Sequence, residues 1–317
     1  MKINQLAYLP FWYIKNVIFK KHGPLQTVLF ITDFCNLRCK HCFEMGHACT
    51  KHKSFSQIEE ELKDSYKLGS RIVDLEGGEP TLWKEDDKNI NDIIKLAKEI
   101  GFFSVTVTTN AQNDFSWLDA DLVWVSIDGF EKYHDDVRGE GAFEKLNKNA
   151  LAYRGMDEFG NIVNHAVYEK NKKHALGSNM AVNVINADSV CDTIEFVKNH
   201  KAIDSIAINF HTPYPGTEHM MLSDTEKAKI IDKVISYKKK HYPLQNSVSG
   251  LKIMTQKDFK KYCWITNFII TDGTRFSTCP GQTLGICSDC GFCMAGEMHC
   301  VMHLKPDTLL AGMQLRL

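Results

Sequence analysis

Six short apolar runs, rich in Val, Ile and Phe, recur along the chain with helical patterns between most of them. TVLFI (27–31), RIVDL (71–75), SVTVT (104–108), LVWVSI (122–127), MAVNVI (180–185) and SIAINF (205–210) read as strands. FSQIEEELKDSYKLG (55–69), DIIKLAKEIG (92–101) and DSVCDTIEFVKNH (188–200) carry the helical period, the first ending on Gly69. Strands apolar on both faces and alternating with helices require a parallel sheet that the helices cover. Six units are too few to close an eight-fold barrel and enough for an open, partial one.

Two segments break the rhythm. Residues 153–178 are polar and turn-rich and read as a surface insertion. After a helix near 224–240 the composition changes: residues 263–300 hold six of the eleven cysteines and few large aliphatics. A unit that thin in apolar side chains needs metal to fold. The expected division is an extension over 1–24, a core over 25–220, a connecting helix within 221–262 and a cysteine-rich domain over 263–317.

Composition removes several classes of function. With 44% apolar and 24% charged residues the chain of 317 is an ordinary globular protein. A formal charge of −1 gives no bulk attraction to nucleic acid. No run approaches the ~20 apolar residues of a membrane span, and the N-terminus lacks a small-residue cleavage site, so a cytoplasmic location is expected. Eleven cysteines in such a chain point to metal or redox chemistry rather than disulfides. The N-terminal segment has no acid before Asp33, while Lys2, Lys15, Lys20 and Lys21 alternate with Phe11, Trp12, Tyr13, Ile14 and Phe19. Two structures suit it: an aromatic-rich helix packed on the body, or an interfacial helix on a membrane surface.

The first strand runs into ITDFCNLRCKHCFE (31–44), with Cys35, Cys39 and Cys42 within eight residues. The spacing also matches one face of a helix, but Thr32, Asp33 and Asn36 are turn formers and the segment is strongly polar. Zinc takes four protein ligands, or three and water. Three thiolates on a four-iron cubane leave one iron without a protein ligand, an open position where a reactant binds.

Cys35-x3-Cys39-x2-Cys42 followed by Gly77-Gly78-Glu79-Pro80 resembles the radical S-adenosylmethionine (SAM) superfamily over roughly residues 25–215. The resemblance implies a partial (β/α)6 TIM-like barrel, a catalytic [4Fe–4S] cluster on the three cysteines, and SAM on the open iron. Reductive cleavage of SAM would give a 5′-deoxyadenosyl radical that removes a substrate hydrogen. It further implies an electron donor of flavodoxin or ferredoxin type. Each remaining motif follows a strand, the face on which barrel active sites are built. Gly77 and Gly78 would let backbone approach a ligand without a Cβ clash, and Glu79 would meet the SAM amino group. Asn110, after Thr108 and Thr109, would be a SAM contact. Ser126 and Asp128 would bind the ribose hydroxyls, Arg138 the SAM carboxylate, and His41 the adenine. His211 in HTPYPGTE (211–218) would sit over the substrate as a catalytic residue, with Asn183 and Asn186 as further candidates.

The C-terminal region resembles the SPASM and Twitch auxiliary-cluster appendages of that superfamily. Cys263 and Cys279 flank a hairpin across an Asp-Gly turn, and Cys287-x2-Cys290-x2-Cys293-x6-Cys300 has ferredoxin-like spacing. A zinc ribbon is the rival. Six cysteines imply at least one auxiliary [4Fe–4S], a second needing substrate, His299, His303 or water as ligand. Cys49 is open in role, and Cys191 reads as core. The expected function is radical modification of a ribosomal peptide or protein. Alternatives are a radical SAM enzyme of small-molecule or lipid biosynthesis and a non-catalytic zinc-binding protein.

Overall fold

The structure is a computed structural model and describes residues 3–42 and 51–316. Cys49 lies outside the described residues. Eight strands form one sheet: β1 Gln26–Thr32, β2 Ile72–Gly77, β3 Ser104–Thr109, β4 Leu122–Ser126, β5 Ala175–Val182, β6 Ser205–Phe210, β7 Thr266–Ile269 and β8 Arg275–Phe276. Their spatial order is β8-β7-β1-β2-β3-β4-β5-β6, parallel throughout except for the β7–β8 hairpin. The helices are α1 Ile3–Tyr13, α2 Phe55–Leu68, α3 Ile90–Ile100, α4 Lys132–Arg138, α5 Ala142–Tyr153, α6 His165–Asn171, α7 Val190–Asn199, α8 Asp224–Lys239, α9 Val248–Ile253, α10 Pro280–Thr283, α11 Cys293–Met302 and α12 Pro306–Arg316.

Local chemistry sets these boundaries. Ser54 caps α2 by accepting from Gln57 N at 3.2 Å, and Gly69 ends it at φ +125°. Asn89 and Asp92 form a capping box at the start of α3, which Gly101 closes. Ile58 and Leu62 of α2 and Ile93, Ile94 and Ala97 of α3 are buried in one cluster with Leu29, Ile31, Val73, Leu75, Val105 and Val107 of the sheet. Each such side chain contributes roughly 1.5–3 kcal/mol on burial.

The alternate residues of the same strands form an inner face that is polar. Asp74 accepts hydrogen bonds from Gln26 of β1 and Thr106 of β3. Glu76 and Thr108 lie on the same side as Asp74, 3.5 Å apart. Gly177 of β5 has no side chain because Trp124 of β4 occupies that volume; an added Cβ would lie 2.6 Å from the indole. This explains a displaced element. The fifth strand is Ala175–Val182, not 180–185, since Ala-Leu-Gly-Ser-Asn lacks the β-branched bias that marks a strand. The segment 153–178, expected as a surface insertion, accordingly contains α6 and the first half of β5.

The cysteine-rich region is grafted onto both edges of the open sheet. β7 adds parallel to β1 on one side. On the other, Phe210 N donates to Gly291 O at 2.8 Å and Cys293 N donates to Asn209 Oδ1 at 2.8 Å. An added Cβ on Gly291 would meet the Phe210 carbonyl oxygen at 2.1 Å, so only glycine permits this seam. Ile269 joins the main core, and a smaller cluster unites Trp12, Ile265 and Met302.

Chain that leaves the sheet at Thr32 returns at residues 51–54. Asp33 N donates to Lys51 O and Lys53 N to Ile31 O, both at 3.0 Å. The Lys53 ammonium is fully buried against Glu61 Oε1 at 2.7 Å, and Trp83 Nε1 donates to Lys53 O at 2.8 Å. Removing one partner of a buried pair leaves an uncompensated charge. Lys53→Met is therefore expected to lower stability by about 3–5 kcal/mol in urea denaturation, while Lys53→Met/Glu61→Leu recovers most of that loss. Equal losses in the single and double variants would show that the pair does not anchor this return.

Candidate active site

The three cysteines after β1 lie on a loop held by neighbouring strand ends. Gly78 N donates to Thr32 O at 2.7 Å and Glu79 N to Phe34 O at 2.8 Å. Both glycines of the Gly-Gly-Glu-Pro stretch serve this approach. A Cβ on Gly77 would lie 2.2 Å from Thr32 O, and one on Gly78 would lie 2.4 Å from Phe34 O. The close approach is thus to the cysteine loop itself.

Glu79 is buried, and its carboxylate is hydrogen-bonded. Oε1 accepts from Thr81 N, Thr81 Oγ1 and Thr109 Oγ1 at 3.2, 2.6 and 2.8 Å; Oε2 accepts from Asn110 N at 2.7 Å. Three of the four donors converge on Oε1, and Oε2 keeps acceptor capacity beyond Asn110 N. Burial raises the Glu79 pKa, against the pull of these donors. Asn110 in turn donates from Nδ2 to Asn36 Oδ1 at 2.8 Å and to Cys35 Sγ at 3.6 Å.

A second group closes the other side. Asp128 is fully buried; Oδ2 accepts from Arg138 Nε at 2.6 Å and Oδ1 from Ala181 N at 2.9 Å. Burial would raise this carboxyl, but Arg138, then His41 and the Ala181 amide outweigh it and hold it at about 2. Arg138 Nη1 reaches Cys39 Sγ at 3.8 Å. Asn186 donates to Asp128 O at 2.8 Å and receives Asn183 N on its own side chain, so this pair braces the turn after β5. Ser126 ends β4 opposite Asn179. His41 Nε2 lies 3.5 Å from Asp128 Oδ2, and burial lowers its pKa to about 4. Its Nδ1 is buried and has no partner among the described residues. His211 is buried, with Nε2 at 3.0 Å from both Thr217 O and Thr217 Oγ1, so it ties its own loop together.

The thiols fit iron–sulfur ligation. Burial pushes Cys39 up to about 11 and raises Cys35, so neither thiolate is favoured without a metal. Leu37 N at 3.4 Å and Asn110 Nδ2 donate to Cys35 Sγ, the hydrogen bonds that tune cluster sulfur.

The C-terminal cysteines divide. Cys263, Cys279, Cys287 and Cys290 lie within electrostatic range of one another, and burial followed by these neighbours pushes Cys263 up to about 12. Cys293 is buried next to Cys290 and Lys227. Cys300 lies apart, in range of Glu297 and hydrogen-bonded to Thr308. His299 and His303 stack at 4.2 Å and turn their Nδ1 atoms to backbone carbonyls. Cys191, half-buried on α7, pairs with Tyr237.

Two further residues emerge. Tyr214, in the loop after β6, hydrogen-bonds Cys279 and joins the barrel to the four-thiol group. Glu76, on the inner face of β2, is raised to about 8 by burial and then by Asp74. Its period-2 alternation with Val73 and Leu75 was a usable signal; Tyr214 had none. A cavity of about 510 Å³ between α5, α7 and residues 158–160 contains none of these side chains.

Residues 29–157 match the family model described as the Radical SAM superfamily. GTP 3′,8-cyclase of Psychromonas ingrahamii is 34% identical over 134 residues, 39% of this chain and 39% of that protein. The Shewanella denitrificans GTP 3′,8-cyclase is 32% identical over 155 residues, 41% of this chain and 45% of that protein. The chain thus spans less than half the length of these curated relatives. In structure, Streptococcus suis SuiB bound to S-adenosylmethionine superposes with a TM-score of 0.64 at 16% identity, covering 97% of this chain and 73% of that one. The anSMEcpe enzyme with AdoMet and the Kp18Cys peptide gives 0.59 at 16% identity, covering 84% and 79%. At such identity the likeness is one of fold.

Two outcomes follow from the geometry. Gly78→Ala should displace the cysteine loop, costing about 1–3 kcal/mol in thermal denaturation and reducing iron uptake on reconstitution; unchanged values would show that the loop tolerates the added carbon. Glu76 binds its proton more tightly folded than unfolded, so its contribution is present below pH 4.5 and is lost as pH rises through about 8. Glu76→Gln should therefore become progressively more stable than the parent across that window, as read by urea midpoints, and a constant difference would contradict the shift.

Proposed function

From a radical SAM domain over residues 29–157, we infer that this enzyme cleaves SAM and modifies a peptide or protein. Bound to the chain, a [4Fe–4S] cluster and SAM supply a 5′-deoxyadenosyl radical that removes a substrate hydrogen. Cys35, Cys39 and Cys42 hold the cluster, and the observation that carries this assignment is the donor set around their sulfurs: Leu37 N and Asn110 Nδ2 at Cys35, Arg138 Nη1 at Cys39.

The chain's own residues then orient the cosubstrate. Asp128 fixes the Arg138 guanidinium beside Cys39, where its remaining N–H groups would be free to receive the SAM carboxylate. Neutral His41, with Nδ1 buried, is assigned to the adenine, and Ser126 to the ribose. Gly77, Gly78, Glu79 and Asn110 keep the cysteine loop against the strand ends, and Glu79 Oε2, with one protein donor, is assigned to the SAM amino group. Cys263, Cys279, Cys287 and Cys290 are assigned to one auxiliary [4Fe–4S], with Cys293 adjacent to Cys290 and Cys300 turned toward Thr308.

The substrate class rests on the polarity of the inner face. Asp74 and Glu76 are carboxyl groups there, and burial keeps Glu76 protonated at neutral pH. Such a lining offers hydrogen-bond donors and acceptors that suit the amides of a peptide. The structural neighbour SuiB has been seen bound to its precursor peptide SuiA, with a TM-score of 0.62. The sequence relatives named GTP 3′,8-cyclase favour the second reading, a small-molecule substrate.

Anaerobic reconstitution with iron and sulfide should give about eight irons per chain, two cubanes, and dithionite-driven 5′-deoxyadenosine that disappears in Cys35→Ala/Cys39→Ala/Cys42→Ala. Peptides extracted from cells grown on deuterated amino acids should pass deuterium into 5′-deoxyadenosine. Stoichiometric zinc with no 5′-deoxyadenosine would overturn the catalytic assignment; stimulation by GTP without transfer from peptides would overturn the substrate.

A further inference from the structure

The N-terminal helix has two apolar faces, and the body of the protein covers one. Tyr8, Trp12 and Asn16, four residues apart, point inward. Tyr8 meets Phe103 edge-on at 5.5 Å and donates to Gly69 O at 2.7 Å. Trp12 stacks on Trp264 and donates to Gly23 O at 3.1 Å. Asn16 Oδ1 accepts from Gly23 N at 2.6 Å. These bonds fix the rotation of the helix about its axis.

The opposite side carries a row at 7, 11, 14 and 18, continued by Phe19 through the π-turn Ile14–Ile18. Phe11, Ile14, Ile18 and Phe19 are 58%, 46%, 61% and 68% exposed. Because the helix is pinned by its other face, it cannot rotate to bury this ridge. Lys15, Lys20 and Lys21 are exposed beside it. The first acidic residue of the chain is Asp33, so residues 1–32 carry four lysines and no acid; against a total of −1 the remainder is −5. The positive charge is therefore local to the apolar ridge. Among the described residues no helix is long and apolar enough to cross a membrane.

We propose that this face docks on an anionic lipid surface, with Phe11, Ile14, Ile18 and Phe19 entering the interface and Lys15, Lys20 and Lys21 meeting the headgroups. Charge selects the occupant: an uncharged apolar partner or a second copy of the same basic face gains nothing from three flanking cations, whereas an anionic bilayer supplies both the apolar boundary and the counter-charge. Binding is interfacial and reversible, with Trp12, packed on Trp264 and Ile265, holding the helix to the body on the face away from the lipid.

The test is flotation of the full chain with vesicles of phosphatidylcholine alone and with about 30% phosphatidylglycerol, which gives the surface a negative potential. The expected result is at least about tenfold more bound protein on the anionic vesicles, falling severalfold between 0.1 and 0.5 M salt as the Debye length contracts. Phe11→Ser/Ile18→Ser/Phe19→Ser should abolish flotation, and Lys15→Gln/Lys20→Gln/Lys21→Gln should erase the preference for anionic lipid. All six side chains are exposed, so circular dichroism and Trp fluorescence should be unchanged and 5′-deoxyadenosine formation in detergent-free buffer preserved. No flotation on anionic vesicles, equal flotation of the triple-serine variant, or a concentration-dependent dimer that the same variant dissolves would each overturn the proposal.

Discussion

The carboxylate of Glu79 is the point through which the site is assembled. It receives Thr81 from its own turn and Thr109 and Asn110 from the end of β3. Asn110 passes the constraint to Asn36 and Cys35, and the Glu79 amide passes it to Phe34. Two strand ends and the cysteine loop are therefore joined through one buried residue. A buried carboxylate held by four donors tolerates little displacement, because each lost donor leaves charge unsatisfied in a low-dielectric site. This arrangement gives a polar loop a defined shape where hydrophobic packing is scarce.

The other wall works by charge balance rather than by hydrogen-bond count. Asp128 and Arg138 are both nearly inaccessible, and their mutual attraction offsets the cost of removing each from water. The pair leaves the guanidinium with donors beside Cys39. His41 and His134 stand next to it with pKa values lowered to about 4 and 3 by burial, so the surroundings contribute no competing cation. Arg138 is the positive group beside Cys39. The inner face carries Asp74 and Glu76, the second kept protonated at neutral pH by burial and by Asp74.

Much of this was legible in the chain because strand periodicity and motif spacing are local properties. Helices 55–69 and 92–101 end at Gly69 and Gly101, as their capping chemistry requires, and five of the six strands fall where β-branched runs place them. Ala175–Val182 was not legible, because its composition answers to the Trp124 ring opposite Gly177, a contact made by sheet pairing alone. The position of Cys300 beside Thr308 was hidden for a similar reason. Ferredoxin-like spacing says nothing of the helical turn that carries Cys300 toward Thr308. Nor does spacing reveal that Glu79 and His211 spend their polar atoms on neighbouring backbone and hydroxyl groups.

The parallel pairing of β7 with β1 has a consequence for how the protein is made. Gln26–Leu29 find their partners at Thr266–Ile269, and the Thr27 hydroxyl, with Ser70 beside it, is satisfied by Asn267. Throughout synthesis of the intervening 200-odd residues, the strand that leads into the catalytic loop has an unpaired backbone edge and a buried-to-be polar pocket open to water. Closing that long a loop is slow relative to forming the βα units beside it. The nascent chain therefore passes through a state in which the core is built and its first edge is free, and such edges recruit other strands. Chaperone demand and aggregation risk for this protein concentrate on β1, and they end when the cysteine-rich segment arrives.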